Sequence, residues 1–216
     1  MKFKSIIFDM DGTLLDTVAD IGKAANRALA RNDFPQHPME SYKHFVGEGA
    51  RLLIERALPL ENRTEDLITE CLDVFFREYN NTWNNNTRLY PGIEELLNSL
   101  SKLPLTLSIL SNKPDQFTKA CAAEYLDSWQ FFRIIGNSDA IPRKPDPTGA
   151  NSIVSDLNLE AEECLFVGDT KIDMQTANAA GMISVGVLWG FRPREELVEA
   201  GAHHLIDDPK GLLDIL

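Results

Sequence analysis

Apolar and polar positions follow two rhythms along this chain, and the switch between them marks its organisation. Residues 4–8, KSIIF, form a brief apolar run that ends at Asp9, and this predicts a buried strand. The rhythm then turns helical. Within residues 16–30, Val18, Ile21, Ala25, Ala28 and Leu29 share one face, with Asp16 or Thr17 as the N-cap. Residues 38–47 and 49–58 read as two shorter helices. Residues 64–79 carry a stripe of Leu67, Ile68, Cys71, Leu72, Phe75, Phe76 and Tyr79, capped by Thr64, with Glu65 and Asp66 at the positive end of the helix dipole.

An Asn-rich, Pro-Gly-ended stretch, residues 80–92, predicts a loop or hinge. Beyond it, helical stripes alternate with β-rich apolar runs. Helices are expected at 93–102, 115–126, 147–158 and 173–180, and strands at 105–110, 132–137, 164–168 and 183–188, with a further edge strand at 203–207. That alternation predicts an α/β fold, a Rossmann-like parallel sheet with helices on both faces. A lone strand is not stable, so residues 4–8 must join the sheet. The expected domains are therefore a core of residues 1–15 and 88–216, and a small all-helical cap, 16–87, inserted after the first strand.

The 216 residues suffice for a real core, and 44% hydrophobic with 25% charged residues describes an ordinary soluble chain. A net charge of −12 argues against a nucleic-acid or anionic-membrane partner and means any anion site must be built locally. Cys71, Cys121 and Cys164 lack metal-ligand spacing and read as reduced, buried cysteines. Asp9 and Asp11 cut the N-terminal apolar run below signal-peptide length, and the expected location is cytoplasmic. Monomer and homodimer both stay open.

In a parallel sheet, ligands bind beyond the carboxyl ends of the strands. Those ends carry Asp9 and Asp11; Ser111, Asn112 and Lys113; Lys144 in the loop after 132–137; and Asp169 with Asp173. Two carboxylates roughly 4 Å apart repel by about 4 kcal/mol at an effective dielectric of about 20, so gathering four of them calls for a cation. Mg2+ suits an all-oxygen set completed by phosphate and water. A hydroxyl and an ammonium opposite the metal are what a phosphoryl group needs around its oxygens. Asp9 is then placed to attack phosphorus and Asp11 to act as general acid and base, while Gly12 permits the sharp turn that brings backbone N–H groups to the phosphate. Taken singly, each motif also reads as an ordinary turn, cap or surface lysine; their joint placement carries the functional reading. The DxDG string is not an EF-hand loop, whose glycine comes sixth.

The strings FDMDGTLLD, LSNKP, RKPDP and FVGDTKIDMQTANAAGM resemble the haloacid dehalogenase superfamily of phosphohydrolases. The resemblance spans essentially the whole chain. It implies Asp9 as nucleophile and Asp11 as acid/base. It further implies Mg2+ held by Asp9, the Asp11 carbonyl and Asp169 with Asp173 in support, and the phosphoryl group held by Ser111, Asn112 and Lys144. The dehalogenases that name the superfamily lack the acid at the position of Asp11, so its presence favours phosphate chemistry.

Residues 16–29, 45–58, 90–100 and 186–191 are similar to phosphoglycolate phosphatases, which implies a small phosphorylated metabolite, first of all 2-phosphoglycolate. Glu48, where Asn is common in that group, and Arg51, one turn on, are candidate specificity residues. The alternatives are a pyrophosphatase, a sugar-phosphate mutase of the β-phosphoglucomutase kind (which carries a His in its first cap helix where this chain has none), and a non-catalytic phospholigand-binding protein.

Overall fold

The computed structural model describes residues 2–216. In chain order the elements are β1 (Ser5–Phe8), β2 (Leu15–Asp16), α1 (Val18–Arg31), α2 (Met39–Phe45), α3 (Ala50–Ala57), α4 (Glu65–Asn80), β3 (Arg88–Leu89), α5 (Ile93–Leu100), β4 (Thr106–Pro114) and α6 (Asp115–Tyr125). They continue with β5 (Arg133–Asn137), α7 (Thr148–Leu157), β6 (Cys164–Gly168), α8 (Lys171–Ala179), β7 (Ile183–Val187), α9 (Arg194–Glu199) and β8 (His204–Ile206). Among the described residues, six strands pair in the order β5-β4-β1-β6-β7-β8, all in parallel. Counted along the sheet's own strands this is 3-2-1-4-5-6, the doubly wound order, and it reverses between β1 and β6. A crevice opens there beyond the strand ends.

Strand periodicity builds the core on both faces. Ile6 and Phe8 of β1, with Leu165 and Val167 of β6, enter one buried cluster with Leu96, Leu97 and Leu100 of α5. Ile7 and Phe166 turn to the other face and pack with Ile153 of α7 and Met182. Both faces are covered, so these strands read as continuous apolar runs rather than alternating ones.

Helices α1 to α4 pack on one another around a separate cluster that includes Ile21, Ala25, Leu29, Leu53, Ile54, Cys71 and Phe75. Thr64 caps α4 by accepting from the Leu67 N–H at 3.4 Å, as expected. Thr17 is the N-cap residue of α1, but its side chain makes no capping bond. Phe117 of α6 and Phe191 after β7 join this third cluster and fasten it to the sheet. Arg192 adds a polar tie by donating to the Lys43 and Val46 carbonyls at the end of α2.

Three features depart from expectation. A two-residue antiparallel ribbon, Leu15↔Leu89 and Asp16↔Arg88, joins the chain where it leaves for the helices and where it returns. Strand β4 continues through Ser111, Asn112 and Lys113 to Pro114, so those polar residues extend the strand rather than follow it. Helix α9 fills a stretch whose six residues are too short for a periodic signal. The three cysteines are free and buried. No helix among the described residues is long and apolar enough to cross a membrane.

Candidate active site

Asp9 follows the last residue of β1, and Asp169 follows the last residue of β6. The two strands are direct neighbours, with Phe8 opposite Val167, so their tips bring both carboxylates to the crevice. Asp173 lies in the first turn of α8, where its carboxylate accepts from Thr170 N at 3.0 Å and Thr170 Oγ1 at 2.8 Å. Carboxylate oxygens of Asp9, Asp169 and Asp173 lie within 4.8 Å of one another, and all three residues are buried. Lys144 is buried among them, 2.6 Å from Asp173 Oδ1 and 2.9 Å from Asp9 Oδ1. One ammonium is thus shared between two buried carboxylates.

The electrostatics of this cluster are those of a site short of positive charge. Burial pushes Asp9 up to about 7; Lys144 opposes the rise, and Asp173 and Asp11 add to it. Asp169 is raised well above the usual carboxylate range by burial and by its two acidic neighbours. Lys144 stays charged because Asp173 and Asp9 outweigh the cost of its burial. Three buried carboxylates, all hard oxygen donors, with a single ammonium beside them fit a divalent cation of the Mg2+ type.

Two glycines make room for this arrangement. Gly12 sits at φ +88°, and a Cβ there would lie 2.3 Å from Asp169 Oδ2. Gly190 would set a Cβ 2.3 Å from that of Asp169. The loop after β7 thus closes on the carboxylate, and Phe191 N donates to Asp169 Oδ2 at 2.7 Å. Thr13 Oγ1 donates to its other oxygen at 3.3 Å. The sharp turn expected at Gly12 is present. Its own N–H, however, donates to the Leu15 carbonyl at 2.9 Å, which removes it from any phosphate.

Asp11 lies on the other side of Asp9 and faces the helical layer. Its carboxylate accepts two contacts from Lys113 Nζ, at 3.1 and 3.2 Å. Lys113 in turn donates to the Tyr79 hydroxyl of α4 at 2.7 Å. Burial works against the Lys113 charge, but Asp11 and Tyr79 hold it protonated. Lys113 was expected only at a strand end, with no role of its own. A lysine continuing an apolar strand was the available signal, because a buried ammonium requires an acidic partner.

Ser111 is buried and lines the pocket in front of Asp9 and Asp11. Asn112 lines it too, but its amide is committed elsewhere. Nδ2 donates to the Gly47 carbonyl at 3.1 Å and the Lys144 carbonyl at 3.0 Å, while Oδ1 accepts from Lys144 N at 2.8 Å. It therefore seats Lys144 and the 46–50 loop. Glu48 and Arg51, the candidate specificity residues, are not among the residues lining the pocket, although their neighbours Gly47, Gly49 and Ala50 are. The Glu48 carboxylate pairs with Arg56, and Arg51 pairs with Glu55 at 2.8 Å and Glu65 at 2.5 Å. Arg51 meets Glu55 one turn on in α3 and Glu65 at the start of α4, while Glu48 reaches Arg56 near the end of α3.

Residues 6–187 match the family model for haloacid dehalogenase-like hydrolases. A phosphoglycolate phosphatase of Pseudomonas syringae pv. tomato is 35% identical over 97% of this chain and 78% of its own length. One from Aliivibrio fischeri is 31% identical over 99% of this chain and 96% of its own. A solved structure from Lactobacillus delbrueckii subsp. bulgaricus, provisionally named a phosphoglycolate phosphatase, superposes with a TM-score of 0.94 at 30% identity, covering 100% of this chain and 98% of that one. With the carboxylate cluster at the switch point of a doubly wound sheet, these matches establish that the chain belongs to the haloacid dehalogenase-like hydrolases.

Proposed function

We propose that the protein is a Mg2+-dependent phosphatase that hydrolyses a small phosphomonoester through an aspartyl-phosphate on Asp9. The observation that carries this reading is the buried cluster of Asp9, Asp169 and Asp173 with Lys144 at its centre. Asp9, Asp169 and Asp173 would hold the cation, which when bound offsets the negative charge of the carboxylates and of the phosphate oxygens.

The residues of the chain divide the remaining work. Lys144 and the Ser111 hydroxyl orient the phosphoryl group. Asp9 attacks phosphorus, forming its Oδ–P bond as the bond from phosphorus to the alcohol oxygen breaks. Asp11 gives its proton to that oxygen, then takes a proton from the water that attacks the acyl phosphate and regenerates Asp9. Lys113 fixes the Asp11 carboxylate in place between the two steps. Residues 16–87 act as a cap that shuts the crevice from bulk water, and the ties from Arg192 and Asn112 to the 43–47 segment support that role.

The relatives' name makes 2-phosphoglycolate the first substrate to assay. The test of the mechanism is Asp9→Asn. It should lower phosphate release at least ~10⁴-fold with an unchanged circular dichroism spectrum, and substantial residual turnover would refute Asp9 as nucleophile.

A further inference from the structure

We infer that the substrate's alcohol portion is apolar, an alkyl or aryl group rather than one bearing a carboxylate; this rests on the phosphatase reading above. The wall of the pocket facing Asp9 and Asp11 is built from Val46, Leu53, Phe75, Phe76, Tyr79 and Phe117. Its rings form one continuous aromatic surface. Phe75 stacks on Tyr79 at 5.4 Å between centroids, Phe76 stacks on Phe117 at 6.3 Å, and Tyr79 meets Phe117 edge-on at 4.9 Å. A leaving group that extends from the phosphorus above Asp9 toward the helices enters this surface.

The lining itself offers no unpaired cation. Among the described residues, the one cation lining the pocket is Lys113, and its ammonium is already held by Asp11 and Tyr79. Three of the four nearby arginines are paired with carboxylates, and Arg143 is held by a backbone carbonyl. Arg143 donates to the Glu48 carbonyl, Arg56 pairs with Glu48, Arg51 pairs with Glu55 and Glu65, and Arg192 is bound to the end of α2. A carboxylate in this space would give up its water against a wall of rings, and it would lie near Asp11. An apolar group gains from the same exchange.

The test compares leaving groups of matched shape. Isobutyl phosphate has the branched outline of 2-phosphoglycolate without its charge, and benzyl phosphate adds a ring. With Mg2+, kcat/KM for isobutyl phosphate should exceed that for 2-phosphoglycolate at least tenfold, and benzyl phosphate should rank above both. Ala50→Lys, at a half-buried position lining the pocket, supplies the missing cation and should shift the ratio at least tenfold toward 2-phosphoglycolate. Equal or better hydrolysis of 2-phosphoglycolate by the unaltered protein overturns the inference while leaving the phosphatase reading intact. Failure to hydrolyse any of the three, or acetyl phosphate, removes the phosphatase reading and this inference with it.

Discussion

Across one pocket, Asp9, Asp11, Ser111 and Lys113 face Val46, Leu53, Phe75 and Phe117. The first wall comes from strand ends of a parallel sheet, where backbone register fixes each side chain and buried charges are held in pairs. The second comes mainly from helices packed on one another, where the contacts are apolar and one side chain of similar size can replace another. The charged wall is built for one transformation at phosphorus. The apolar wall has no such constraint and can vary to suit what is attached to the phosphate. On the proposed function, reaction and selectivity are therefore separable by region.

The strongest challenge to that division is Asp169→Asn. Asparagine can keep the bond from Phe191 N and exchange one with Thr13, so the fold should stand, while activity should fall at least ~10³-fold. The stability consequence has a definite sign. Asp9, raised to about 7, and Asp169, also raised, favour the protonated carboxyl in the folded state. The contribution of Asp9 to metal-free stability is complete below the ordinary carboxylate range and is lost as pH rises through about 7, and that of Asp169 has the same sign. In EDTA at pH 7.5, Asp169→Asn should melt no lower than the unaltered protein. Mg2+ should raise the Tm of the unaltered protein by a few degrees, on the order of the shift that ~1 kcal/mol of ligand binding produces. A large drop in the Tm of the variant would make Asp169 a structural residue and blur the two walls into one.

Tyr79→Phe probes the seam between them. It keeps the ring in the apolar wall and removes the hydroxyl that receives Lys113. The expected cost is about 1 kcal/mol of stability and a several-fold drop in kcat/KM, measured by denaturant unfolding and steady-state kinetics. The smallest effect belongs to Glu48→Gln. Its carboxylate pairs with Arg56 outside the pocket, so kcat/KM on any phosphomonoester should change less than about twofold. A larger change would bring the 46–50 loop into selectivity after all.

How much of this was legible in the chain follows from the range of the interactions involved. Strand tips could be read because apolar runs stop abruptly at Asp9 and Asp169, and the sheet order then gathers them. The helical layer showed itself through the stripes of α1 and α4. The β2–β3 ribbon was invisible because two residues per strand carry no period. The side-chain partners of Asn112 and Glu48 could not be read because sequence spacing does not reveal them, whereas the Arg51–Glu55 pair stands at helical spacing. Asn112 meets Lys144 across 32 positions, and Glu48 meets Arg56 around the bend into α3.

The ribbon also has a bearing on how such proteins diversify. Leu15 and Leu89 are paired neighbours, so the chain departs from the sheet and rejoins it at nearly the same place. To the sheet, everything in between is a closed excursion whose length and contents leave strand register undisturbed. A segment of quite different architecture spliced between those two leucines would inherit a finished catalytic floor. The junction is thus a natural cut site for building chimeras that keep the chemistry and exchange the clientele.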